Sequence, residues 1–157
     1  EVPEAISFLG DMYHFGRLGL VKSDKKAAKI YRRAAELGDV EAMVALAELY
    51  EDGLGVKLDK NKAMKLYRTA ADRGDAFGQN KVGMSLHSGK KFEEAFRYFA
   101  LAADQGYTPG EFNLGLCHRD GEGTEVDLGK ARYWFERAAA KGHERATRCL
   151  AELNAQV

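Results

Sequence analysis

The chain has 157 residues, 24 of them basic and 24 acidic, so its formal net charge is zero with histidine neutral. That balance supplies no global field for nucleic acid or an acidic membrane, two cysteines are too few for a disulfide framework, and no apolar run reaches the roughly 18 residues a membrane span needs. The 45% hydrophobic content suffices for a core, and its bias toward alanine and aromatics over β-branched residues favours closely packed helices. With Glu1 at its start instead of Met, the chain is expected to be part of a longer one, and compartment is left undecided.

In chain order, one motif returns four times: Ala34-Ala35-Glu36-Leu37-Gly38, Ala70-Ala71-Asp72-Arg73-Gly74, Ala102-Ala103-Asp104-Gln105-Gly106 and Ala138-Ala139-Ala140-Lys141-Gly142, spaced by 36, 32 and 36 residues. Periods of this length mark stacked supersecondary units. The first repeat, about 2–38, is predicted to be two helices with Ser23 capping the second and a loop one residue longer than its successor's. In the second, 39–74, Ala42, Leu46, Ala47, Leu49 and Tyr50 have the spacing of an amphipathic helix. Gly53 and Gly55 stop that helix. Asp59 stands where a cap would be, and Ala63, Leu66, Tyr67, Ala70 and Ala71 line the next helix. The third, 75–106, is shortened by four residues: Ser88-Gly89-Lys90-Lys91 replaces the glycine loop. The fourth, 107–142, opens with Thr108-Pro109, a helix start with proline at its first helical position. A single helix, 143–157, follows, and its polar load (Glu144, Arg145, Arg148, Glu152) suits a terminal cap.

Small residues recur after a large apolar one: Leu9-Gly10, Leu46-Ala47, Val82-Gly83, Leu114-Gly115 and Leu150-Ala151. Such a pair lets a neighbouring helix approach and seat a bulky side chain in the gap. Tyr31, Tyr67, Phe99 and Phe135, each three residues before an Ala-Ala pair, supply that bulk.

These residues resemble the Sel-one-like repeat family, a relative of the tetratricopeptide repeats. The resemblance rests on Leu46-Ala47, Tyr50, Gly53-Leu54-Gly55-Val56, Asp59, Lys62-Ala63, Tyr67, Ala70-Ala71 and Gly74, and recurs over nearly the whole chain. Thr124 departs from it where the loop valine is expected, Cys117-His118 replace Leu-Tyr, and the third repeat has a shorter loop. The resemblance implies an all-α fold, a right-handed α-solenoid of antiparallel helix pairs whose first helices line a concave face and second helices a convex one. It also implies adaptor or scaffold work.

Motifs for chemistry do not survive inspection. Gly53-Leu54-Gly55 and Gly121-Glu122-Gly123 follow helices, where a phosphate loop follows a strand. Among His14, His87, His118 and His143 no two lie four residues apart on one helix, as a zinc site would want; His118 takes the tyrosine position and reads as packing. Cys117 and Cys149 read as buried free thiols. Ser85 and His87 point different ways along a helix and lack a third partner. These patterns point to no catalytic residue, cofactor or metal ligand, and the chain reads as a non-enzyme.

Charge is patterned. Lys25, Lys26, Lys29, Arg32 and Arg33 crowd one second helix, and Lys60, Lys62, Lys65 and Arg68 the next, while the first helix between them carries Asp39, Glu41, Glu48, Glu51 and Asp52. The bland reading is a solvated surface with local ion pairs; the sharper one is an acidic inner wall steering a basic partner segment. First-helix positions expected to face a groove hold Phe77, Asn80, Met84, Phe112, Asn113, Leu116, Arg119 and Glu48. Exposed aromatics and methionine there mark a contact surface; a register drift of one residue would turn them into packing between repeats.

The leading expectation is a protein-interaction module that takes a protein or peptide on its concave face. Phe77, Met84, Phe112 and Leu116 would supply apolar contact, and Glu48, Asn80, Asn113 and Arg119 would fix orientation. The alternative is a spacer or capping segment of a longer array. Nucleic-acid binding along the basic helices is the weakest reading, since no aromatic stacking residues interleave with the bases.

Overall fold

The computed structural model describes residues 2–156. Among them are nine helices and no strand: α1 (Pro3–Phe15), α2 (Asp24–Glu36), α3 (Val40–Asp52), α4 (Lys60–Asp72), α5 (Ala76–Ser88), α6 (Phe92–Asp104), α7 (Thr108–Asp120), α8 (Leu128–Ala140) and α9 (Glu144–Ala155). The fold is an all-α solenoid of helix pairs. The chain gathers into two compact units, residues 1–78 and 79–157.

Helix starts are fixed by short polar side chains that accept from otherwise unpaired amides. Ser23 accepts from the Lys26 N–H, Asp59 from Lys62 and Asp127 from Lys130. Asp39 serves α3, Asp75 serves α5 through the Gly78 N–H, and the His143 ring accepts from Ala146 at α9. The α7 start differs by one residue from expectation: Tyr107 is the cap residue, Thr108 the first helical residue, and Pro109 follows it. Gly53 and Gly121 end α3 and α7 in the left-handed conformation, at φ 67° and 72°.

In the N-terminal unit α1 packs on α2, α2 on α3 and α3 on α4. Its core is Ala27, Ala28, Tyr31, Ala34, Ala42, Leu46 and Leu49, with Ile6, Tyr13 and Tyr50 packed beside it. The Tyr31 ring lies so close to Gly10 that a Cβ there would sit 2.6 Å from it. Leu46 is buried, whereas Leu9, at the same place in α1, is exposed, with no helix before it among the described residues. Basic residues of α2 and α4 lie outside and set their charged heads against tyrosines. Arg32 donates to the Tyr50 hydroxyl at 3.0 Å, and Lys26 and Lys62 sit over the rings of Tyr13 and Tyr50.

In the C-terminal unit α6 packs on α7, α7 on α8 and α8 on α9. Phe112, Ala131, Phe135, Ala138, Ala146 and Leu153 form a core cluster, with Leu116, Cys149 and Leu150 partly buried against it. Phe99 and Phe135 fill the gaps at Gly83 and Gly115 as Tyr31 does at Gly10. The expected ring-into-gap packing is therefore present in both units.

Turns between repeats are tied across one full period. Arg73 donates to the Gly38 carbonyl at 3.0 Å and Lys141 to that of Gly106 at 2.7 Å. Each is a cation placed on the carbonyl end of an earlier helix, where the backbone dipole favours it. Lys141 also reaches Glu111, whose side chain is fully buried, at 2.9 Å, and Arg137 reaches the same oxygen at 3.1 Å.

Candidate functional site

Within the C-terminal unit, α5 and α7 lie side by side over α6 and leave a groove of about 310 Å³ between them. Met84, Asn113 and Leu116, three of the residues singled out from sequence, line it, with Phe99 and Cys117 at its floor. Met84 is 49% exposed. Its sulfur is held 3.6 Å from the Asn80 amide nitrogen, and Asn80 in turn accepts from the Asn113 side chain at 2.9 Å. This amide pair ties α5 to α7 and sets the groove's width. At one end His87 Nε2 meets Glu122 Oε2, and the imidazole rests edge-on against Phe92.

The remaining sequence-derived residues are placed differently. Asn80 is 6% exposed and supports the groove wall from within. Phe112 is 3% exposed, stacked on His143 at 4.4 Å and tilted against Phe135 at 5.8 Å, with the Arg145 guanidinium above it. The ring expected to offer surface is core, because α9 folds over it; Phe112 is not an exposed contact residue. Arg119 forks onto Asp120 at 2.7 and 2.8 Å and approaches the Cys149 sulfur at 3.6 Å. It lines a second groove between α7 and α9 with Arg145, Arg148 and Glu152. Phe77 packs 6.0 Å from the Tyr67 ring in the N-terminal unit, outside either groove.

Glu48 belongs to the N-terminal unit. There α1 and α3 bound a groove of about 300 Å³, walled by Asp11, Glu48 and Asp52 and rimmed by Phe15 and Leu54. The Tyr31 hydroxyl donates to Asp11 at 2.7 Å and that of Tyr67 to Glu51 at 2.8 Å. Burial pushes both phenols above their usual range, and these carboxylates push them further.

Burial, reinforced by Glu122 and Asp120, pushes the Cys117 thiol up to about 12, so it stays protonated near neutrality. Burial also holds the His118 imidazole below its usual value, Lys130 adding to this and Asp127 opposing it; its ring meets Phe96 edge-on at 5.4 Å. Cys149 is half-buried instead of fully so, and both cysteines are free. Sequence reasoning missed Glu111, a fully buried charge aligned with Met43 and Gln79 of the preceding repeats. The signal was available, since a charged residue stood at a core position.

Comparison with known proteins agrees with this architecture. The family model described as the Sel1 repeat matches residues 3–39, 40–75, 76–107 and 108–143. The chain is 32% identical over 150 residues to the chitin synthase regulator SKT5 of Saccharomyces cerevisiae, covering 88% of this chain and 21% of that protein. It spans, then, about a fifth of that relative's length. Among solved structures, a Sel1 repeat protein from Oxalobacter formigenes superposes with a TM-score of 0.87 at 31% identity, covering 96% of this chain and 63% of that one. A protective antigen present in uropathogenic Escherichia coli strains, displaying an SLR fold, superposes with a TM-score of 0.91 at 27% identity, covering 99% of this chain and 34% of that one.

Proposed function

From the premise that the chain belongs to the Sel1 repeat family, we propose that it captures a protein or peptide partner in the groove between α5 and α7. The family and its regulator relative point to a non-catalytic repeat protein with a protein-interaction role and protein partners. The finer reading rests on one observation: a half-exposed methionine, Met84, held in place by Asn80 in a groove whose apolar lining includes Phe99 and Leu116. Methionine is unbranched and polarisable and accommodates varied apolar side chains, while the Asn113 amide at the rim offers a peptide backbone a donor and an acceptor. An apolar anchor side chain between α5 and α7 would meet these groups together.

The test is Met84→Asp, which puts a charge in the groove at an exposed position and so leaves the fold intact. Proteins retained by the immobilised chain are compared with those retained by the variant, with circular dichroism as control. Loss of specific partners at unchanged helicity supports the reading; an identical retained set overturns it.

A further inference from the structure

We propose that the exposed face of α1, together with the loop at Gly19, is a docking seam for the second helix of a further Sel1 repeat. Ala5 and Leu9 are four residues apart and share one side of α1. Both are exposed, Leu9 by 44%, whereas Leu46, Val82 and Leu114, at the same place in α3, α5 and α7, are at most 4% exposed. Where α1 has Ala5, the later repeats have Ala42, Gly78 and Gly110, all buried. A Cβ on Gly78 would come within 3.1 Å of the Ala71 amide nitrogen, and one on Gly110 within 2.8 Å of the Ala102 side chain. Ala42 shares a core with Ala34. Each of these small residues thus meets the Ala-Ala motif of the second helix before it. Ala5 is equally small and meets none.

The loop supplies a second, independent mark. Gly55 and Gly123 abut the starts of α2 and α6, at Asp24 and Phe92, while Gly19 has the same left-handed backbone and open space around it. Ala5 and Gly19 therefore mark the two ends of one seat. In α2 the residue that meets the loop glycine, Asp24, precedes Ala34 by ten positions, and in α6 Phe92 precedes Ala102 by the same number. At 1.5 Å per residue that is a span of about 15 Å. The occupant is a helix whose first turn meets Gly19 through its backbone and whose paired small residues, ten positions on, rest against Ala5 and Leu9. Such a seat continues an interface the molecule already uses between α2 and α3 and between α6 and α7. Leu37 stands where Arg73 ties back to Gly38, so apolar contact and close fit carry this seam in place of a cation.

The test fuses a copy of residues 39–74 ahead of Val2, so that Gly74 leads into Val2 and Pro3 as it leads into Asp75 and Ala76 within the chain. Urea unfolding of the extended chain is expected to show one transition, at a higher midpoint than the parent's. Gly19→Ala and Leu9→Asp are each expected to lower that midpoint at least about twice as much as they lower the parent's, because only the extended chain covers both positions. A separate early transition for the added repeat, or equal losses in the two chains, would overturn the proposal. Sedimentation of the parent tests the rival occupant. A monomer agrees with the seam as stated; a dimer dispersed by Leu9→Asp would assign the face to a second copy of this chain and overturn it.

Discussion

Gly55 lies against the start of α2 so closely that a Cβ built on it would stand 2.2 Å from the Asp24 carbonyl carbon. Gly123 meets the Phe92 carbonyl oxygen at the same distance in the C-terminal unit. The second loop glycine thus does more than end a helix: it lets the loop of one repeat close on the second helix of the repeat before. Gly19, at the matching place in the first repeat, also has a positive φ, 78°, but nothing within 4 Å. Gly19→Ala should cost only left-handed strain, about 1–2 kcal/mol, and Gly55→Ala about 1–3 kcal/mol more from overpacking. Urea denaturation of both variants checks this, and equal losses would refute it.

Phe112 and Met84 should separate cleanly on mutation. Phe112→Ser removes a ring packed between His143, Phe135 and Arg145 and should cost about 3–5 kcal/mol, with early loss of helicity on heating. Met84→Asp, at an exposed position, should change stability by less than about 1 kcal/mol. Thermal melts followed at 222 nm decide between them; a Phe112→Ser chain as stable as the parent would return that ring to the surface.

The buried carboxylate of Glu111 depends on its cations. Lys141→Ala removes one of two donors to a fully buried oxygen and also frees the Gly106 carbonyl. A loss of about 2–3 kcal/mol is expected, against about 0.5–1.5 kcal/mol for Arg73→Ala, which breaks a single exposed bond. Adding Glu111→Met, the residue the second repeat places there as Met43, should recover part of the Lys141→Ala loss, because no buried charge then remains to be paired. A double variant less stable than Lys141→Ala alone would contradict this.

His118 makes stability depend on pH. Its folded-state pKa lies below the ordinary value, so the unfolded chain binds its proton more readily. The stability it contributes is full above about pH 6.5 and declines as pH falls through that value toward the lowered one. His118→Tyr, which installs the residue found as Tyr13 and Tyr50, should reduce the loss of unfolding free energy between about pH 7.5 and pH 5.5. Denaturant titrations at both pH values test it, and an unchanged difference would exclude His118 as the source.

Much of the fold could be read from residue types alone because the repeat restates it. Ser23 and Asp59 cap where their spacing placed them, and Tyr31, Phe99 and Phe135 enter the gaps that Gly10, Gly83 and Gly115 leave. The candidate site was less legible. Helical periodicity assigns a face only to within a residue, and Phe112 aligns with Asn80, a polar residue that suggests solvent. Both are buried, for reasons no period carries: Asn80 finds the Asn113 amide 33 positions along the chain, and Phe112 is covered by α9. Met84 and Leu116 did reach one groove, since one residue of drift leaves their neighbouring positions on the same side.

The borders of each repeat differ in how much foreign chain they tolerate. Ring and gap travel together within one helix pair, as Tyr31 does with Gly10, so a transplanted repeat would carry its own interior fit. Gly55 and Arg73, by contrast, both find their partners in the preceding repeat, at Asp24 and Gly38. Shuffling such modules is therefore forgiving inside and exacting at the upstream seam, where a graft succeeds only if its new neighbour offers a bare helix start and a carbonyl within reach.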